Sequence, residues 1–137
     1  MKRAVFFDTN VFVYADDAAF PAKKQRSIEV IGEYQQKGLA TISVQVMQEY
    51  FSIATKKLRI DGGTAQRKVE LMGEMRVVRF RPEDVVDAIE LHRLHLISFW
   101  DALVVRAAQL GGAEVLYSED MQDGMQFGGV TVVNPYR

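Results

Sequence analysis

Carboxylates without a basic neighbour are the residues of this sequence that call for chemistry. Asp8 interrupts the otherwise apolar run Ala4-Val5-Phe6-Phe7 before Thr9-Asn10-Val11. Glu49 has Gln45, Val46, Ser52 and Ile53 at the spacings that share its helical face, and none is basic. A carboxylate in that setting must reach solvent or be held by something outside its own helix. Asp101 repeats the pattern, with Ile97, Ser98, Val104 and Val105 around it in the most apolar stretch of the chain. Asp120 and Asp123, three residues apart in Ser118-Glu119-Asp120-Met121-Gln122-Asp123-Gly124, can share one side of a turn. Glu119 alternates away from Asp120 and reads as solvated. Acids from four separated segments, with no Cys or His among them, suit a hard cation such as Mg²⁺ or Mn²⁺, which neutralises a cluster that otherwise repels itself. Such an ion binds phosphate oxygens, makes hydroxide from water near neutral pH and stabilises a leaving oxygen, which is what phosphodiester hydrolysis needs.

Each acid also has a purely structural reading. Asp8 can cap the helix that follows it. Ser98-Phe99-Trp100-Asp101 has capping-box spacing, with Asp in place of the usual Glu or Gln. Asp123-Gly124 alone is a turn signal.

The elements that must position these acids alternate between strand and helix. Ala4 to Phe7 reads as a short buried strand stopped by Asp8, and Val11 to Ala15 as a helical turn. Pro21 opens a helix that stops at Gly38, 39–43 is a second strand, and Ser43 caps a helix from Val44 to about Leu58. Gly62-Gly63 breaks the chain, Thr64 caps a helix to about Met75, and 77–80 reads as a third strand. Pro82 starts a helix ending near Leu96, and Ser98 opens a helix, apolar on nearly every side, that Gly111-Gly112 closes. A fourth strand over 114–118, a loop over 119–129 and a last strand over 130–133 complete the chain. Strands joined by helical crossovers call for a mostly parallel sheet of about five short strands in a three-layer α/β/α fold. Asp8 and the acids after Ser118 then leave the sheet at strand carboxyl ends, where open α/β sheets place their ligands.

At 137 residues the chain is expected to form one domain, 1–137. It contains no cysteine, so disulfides and thiolate metal sites are excluded and cytoplasmic residence is the expectation. No apolar stretch approaches the roughly 18 residues of a membrane span. A formal net charge of −1 gives no global attraction to a polyanion, so such a partner would have to be drawn by local basic clusters or by bound cations. Lys23-Lys24 with Arg26, Lys56-Lys57 with Arg59, and Arg76, Arg79 with Arg81 are the clusters available.

The segments Phe7-Asp8-Thr9-Asn10-Val11, Ser43 through Glu49, Ser98-Phe99-Trp100-Asp101-Ala102 and Tyr117 through Gly124 together resemble the PIN-domain nucleases, and among them the VapC-type toxin ribonucleases of toxin-antitoxin pairs. The resemblance spans nearly the whole chain. It implies that Asp8, Glu49, Asp101 and Asp120 surround one or two Mg²⁺ or Mn²⁺ ions, with Asp123 an auxiliary ligand and Thr9, Asn10 and Ser118 as polar support. It further implies an endoribonuclease leaving 5′-phosphate and 3′-hydroxyl ends, acting on RNA and held in check by a small antitoxin protein, with the toxin as a homodimer. Tyr50, Phe51, Met72 and Met75 are the expected exposed residues for such a partner to cover. A PIN fold kept as a non-catalytic RNA- or protein-binding module is the competing expectation.

Other acid-based sites fit less well. A haloacid-dehalogenase-type phosphatase wants a second Asp where Asn10 stands, a receiver domain wants paired acids at the first strand and a Lys near the last strand, and a calcium loop from Asp8 wants Gly where Val13 stands. His92 and His95 lack a third zinc ligand.

Overall fold

The computed structural model describes residues 3–137. Its strands are β1 (Val5–Phe7), β2 (Ala40–Ser43), β3 (Arg76–Val78), β4 (Val115–Tyr117), β5 (Gln126–Phe127) and β6 (Val130–Val133). The helices are α1 (Thr9–Tyr14), α2 (Pro21–Gln36), α3 (Val44–Lys56), α4 (Gly62–Met72), α5 (Pro82–His95) and α6 (Phe99–Leu110). The strands form one sheet in the order β3-β2-β1-β4-β6-β5. All neighbours are parallel except β5 and β6. No helix of the described residues is long and apolar enough to cross a membrane.

Short strands without polar alternation belong in a sheet covered on both faces. Phe6, Phe7, Ile42, Leu116 and Val132 are buried accordingly. From β1 the chain steps outward to β2 and β3, then returns to the other side of β1 as β4. Right-handed crossovers running in opposite directions put their helices on opposite faces. The packing agrees: α2 and α3 lie against β2 within a layer that also holds α1 and α4, while α6 lies across β2, β4 and β6 with α5 behind it. The direction of winding therefore reverses between β1 and β4, which opens a crevice beyond their carboxyl ends.

The α5–α6 pair that carries Asp101 is joined by a charge contact. Asp84 is buried at the start of α5, accepts from the Arg81 N–H at 2.9 Å, and meets the Arg106 guanidinium of α6 at 2.9 Å. These contacts hold its carboxyl below the usual carboxylate range, the backbone bond most and Arg106 next, against the opposing effect of desolvation.

Several expected boundaries move. The helix expected from Thr64 starts at Gly62, because Asp61 accepts from the N–H groups of Gly63 at 3.1 Å and Thr64 at 3.3 Å. It ends at Met72 rather than Met75, and the third strand is 76–78 rather than 77–80. The sheet has one strand more than the expected five: β5 lies inside the segment read as loop, paired to β6 across Gly128-Gly129. Gly128 sits at φ 63°, the left-handed region that such a two-residue hairpin turn demands.

Of the residues expected on the surface, Tyr50 and Met72 are core. Tyr50 can be buried because its hydroxyl donates to Asp16 at 2.6 Å, which Lys68 also pairs. Phe51 remains exposed and Met75 half-buried.

Candidate active site

Asp8 follows β1, and its position is over-determined. Its carboxylate accepts from the Thr9 N–H at 2.7 Å and from the Ser118 hydroxyl at 2.8 Å. The Asp8 N–H in turn donates to the Tyr117 carbonyl of β4, so β1 and β4 stay paired up to the acid. Ser118 serves both segments, since its Oγ also accepts from the Asp120 N–H at 3.2 Å.

Asp120 is anchored from the other side. Asn10, in α1, offers its side-chain amide to both Asp120 oxygens at 3.3 and 3.1 Å. The preceding residue, Glu119, was expected to be solvated but is clamped instead: the Tyr14 hydroxyl donates to it at 2.6 Å and the Lys23 ammonium at 2.7 Å. Lys23 also lies over the Tyr14 ring. Burial alone would raise the Glu119 carboxyl, but Lys23 and Tyr14 outweigh it and hold the group low. The loop carrying Asp120 is thus tied to α1 and α2 through Glu119.

Asp101 resolves the capping question. Ser98 Oγ accepts from the Asp101 N–H at 3.0 Å, so serine caps α6, but the reciprocal bond from Asp101 back to the Ser98 N–H is absent among the described residues. The carboxylate points to the other acids: one oxygen from each of Asp8, Asp101 and Asp120 lies within 4.8 Å of the others. Glu49 lines the same cleft, of about 300 Å³, where its carboxylate accepts from the Thr9 hydroxyl at 2.9 Å and from the Gln45 amide at 3.4 Å. It stands on the α3 wall, outside the close group of three.

Asp123 does not come to the cleft. Its carboxylate accepts from the Asn134 N–H at 2.7 Å and faces Arg137, so it fastens the C-terminal segment instead. The expected auxiliary ligand is thus not among the residues that line the cleft. Thr9, Asn10 and Ser118 each hydrogen-bond one of the acids. Gln45 and Trp100 also line the cleft and went unassigned in the sequence. Trp100 adjoins Asp101 in the chain, but the apolar run around it pointed to a buried residue, and it is 64% exposed.

The electrostatics follow from this crowding. Burial pushes the Asp8 carboxyl up to about 6, with the charges of Asp120 and Asp101 adding to it and the bonds from Ser118 and Thr9 opposing it. Asp120 is likewise raised, first by burial and then by Asp101 and Glu119, with Asn10 opposing. At an effective dielectric near 20, two ionised carboxylates this close repel by on the order of 3 kcal/mol. A cluster of hard oxygens whose hydrogen-bond donors are all uncharged fits a divalent cation, and Asp8, Asp101 and Asp120 can each offer an oxygen to one ion.

The family model of the PIN domain matches residues 5–123, and the chain belongs to that family. Among solved structures, a chain of a toxin-antitoxin complex from Klebsiella pneumoniae is similar at 19% identity, with 97% of this chain and 98% of that chain covered and a TM-score of 0.70. The Mycobacterium tuberculosis toxin VapC20, described as cleaving the sarcin-ricin loop, is similar at 18% identity, with 85% and 90% covered and a TM-score of 0.61. No curated protein matches the sequence significantly.

A carboxyl whose folded pKa lies above its unfolded value favours the fold below the unfolded pKa, and that contribution is lost as pH rises through the folded one. For Asp8 the window runs from about pH 4 to about pH 6. In EDTA the melting temperature of the wild type relative to Asp8→Asn should therefore fall across that window, and Mg²⁺ at pH 7 should restore the wild type more than the variant. Paired melts of the two proteins from pH 4 to 7 check this, and parallel curves would contradict it.

Proposed function

We propose that the chain is a Mg²⁺- or Mn²⁺-dependent endoribonuclease and the toxin of a toxin-antitoxin pair. The observation that carries the catalytic part is the convergence of the Asp8, Asp101 and Asp120 carboxylates within 4.8 Å, in a cleft that Glu49 also lines. Asp8, Asp101 and Asp120 would hold the ion, with Glu49 completing the acidic wall. When bound, the ion supplies positive charge for phosphate oxygens and acidifies water beside it.

The chain's own residues do the rest. Ser118 and the Thr9 N–H keep Asp8 in one orientation, and Asn10 does the same for Asp120. Thr9 holds Glu49, whose carboxylate would take a proton from water attacking the phosphate. Water adds to phosphorus, the bond from phosphorus to the 3′ oxygen breaks, and that oxygen takes up a proton from solvent as it leaves. The products carry 5′-phosphate and 3′-hydroxyl ends. The ribose 2′-hydroxyl takes no part in bond making, so no cyclic phosphate forms.

Purified protein should cut RNA in Mg²⁺ or Mn²⁺, stop in EDTA and resume when Mn²⁺ is added in excess. It should also cut when the nucleotide 5′ to the scissile phosphate is 2′-deoxy. Cleavage that persists in EDTA, or that ends in 2′,3′-cyclic phosphate, would overturn the mechanism. Failure to cut any RNA, with binding retained, would make the chain a binding module.

The toxin part is supported by PIN-family membership together with the likeness of fold to a chain of a toxin-antitoxin complex. In that role the chain is cytoplasmic, forms a homodimer and is held inactive by a small cognate antitoxin. Induced expression of the chain alone should arrest growth, and co-expression of the adjacent gene should restore it. Harmless expression of the soluble wild-type chain would contradict the assignment.

A further inference from the structure

Trp100 is the one tryptophan of the chain, and it is 64% exposed on a helix whose next residues, Ala102 to Val105, are buried. An exposed indole offers a large apolar face, with one polar N–H, to a partner. Phe99 supports it from behind, with ring centroids 5.4 Å apart. Trp100 and Gln45 line both the acidic cleft and an adjoining hollow of about 270 Å³. Val78, Phe80 and Leu103 give that hollow an apolar lining, and Gln48 joins Gln45 as a polar group on it.

The position of the hollow matters. It lies beyond the ends of β2 and β3, as the acids lie beyond the ends of β1 and β4, so a strand running across the top of the sheet meets both. Arg79 and Arg81, exposed and without an ion pair among the described residues, adjoin Phe80 in the chain but line a separate hollow with Arg76 and Asp84. On the β4 side, Lys23 is already neutralised by Glu119. Arg79 and Arg81 thus put unpaired positive charge at the β3 edge of the sheet, outside the lining of the hollow itself.

We propose that Trp100 and this hollow form a nucleobase subsite for single-stranded RNA, in which the base of a nucleotide beside the scissile phosphate stacks on the indole and its polar edge meets the Gln45 and Gln48 amides. The proposal rests on the ribonuclease reading above and deepens it. A duplex keeps its bases stacked on each other, so the substrate class is an unpaired segment whose base can turn outward. Aromatic stacking of this kind is tolerant of sequence, and its loss weakens binding by roughly fivefold to a hundredfold. The amides add a modest preference among bases.

Because Trp100 is the only tryptophan, its emission reports on the subsite directly. The full-length Asp8→Asn chain, in which turnover is removed, is titrated with a single-stranded RNA oligonucleotide and separately with inorganic polyphosphate, binding being followed by anisotropy of labelled RNA. RNA should quench the indole emission and polyphosphate should not. In steady-state cleavage with Mn²⁺, Trp100→Ala should raise KM roughly tenfold with a smaller change in kcat, and Trp100→Phe should recover most of the loss, while circular dichroism and melts of both variants match wild type. If RNA binds and is cut while the emission and the KM of Trp100→Ala stay unchanged, the subsite is wrong and the ribonuclease reading stands. If the emission instead shifts with protein concentration as the chain dimerises and ignores RNA, the indole faces a second copy and the subsite is equally wrong. If RNA is neither bound nor cut with any divalent ion, both fall together.

Discussion

Repulsion among the carboxylates at the top of the sheet is the constraint on which the rest of the structure turns. Asp8, Asp101 and Asp120 come from segments more than ninety residues apart at the extremes, yet present oxygens within 4.8 Å of one another. Left alone, like charges would drive those segments apart, by on the order of 3 kcal/mol for each ionised pair. Their convergence has to be enforced by contacts elsewhere. The β1–β4 pairing continues through the Asp8 N–H, Ser118 links Asp8 to the Asp120 backbone, and Asn10 ties Asp120 to α1. Tyr14 and Lys23 hold Glu119, which would otherwise be another negative charge free to push Asp120 away. The residual strain is visible in Asp8, whose burial and neighbours raise it to about 6.

Scaffold and site share the same residues to a degree that explains why each acid had two readings. Ser98 caps α6 through the Asp101 N–H, which frees the Asp101 carboxylate to face the cleft. Asp8 accepts from Thr9 as a helix cap does and still directs an oxygen toward Asp101 and Asp120. Thr9 belongs to α1 by its backbone and to Glu49 by its hydroxyl. The deeper anchor is the Asp84–Arg106 contact, which sets α5 against α6 and so fixes the platform for Asp101.

Much of this was legible without coordinates, because two kinds of signal are local. Apolar runs with proline and glycine punctuation located the helices and strands, and acids lacking a cation at helical spacing marked Glu49 and Asp101. What the sequence could not convey was which segments meet. Glu119 looked solvated because its partners, Lys23 and Tyr14, lie about a hundred residues away. The auxiliary role of Asp123 came from the family resemblance, and its bond from the Asn134 N–H, a backbone donor, leaves no mark in side-chain pattern. Tyr50 and Met72 looked available, but the Asp16 carboxylate that satisfies the Tyr50 hydroxyl is visible only in three dimensions. The β5–β6 hairpin escaped because two residues on a strand are too few to show alternation, and its glycines read equally well as loop. Trp100 was hidden by its apolar neighbours, whose burial does not extend to it.

The three converging carboxylates are proposed to hold a divalent cation. The most direct measurement is anomalous diffraction from crystals of the wild-type chain soaked in Mn²⁺, alongside crystals of Asp101→Asn treated identically. An anomalous peak bonded to oxygens of Asp8, Asp101 and Asp120 is expected in the wild type, lost or much weakened in the variant. A wild-type cleft that stays free of manganese at saturating concentration, or a peak that persists unchanged when Asp101 loses its charge, would contradict it.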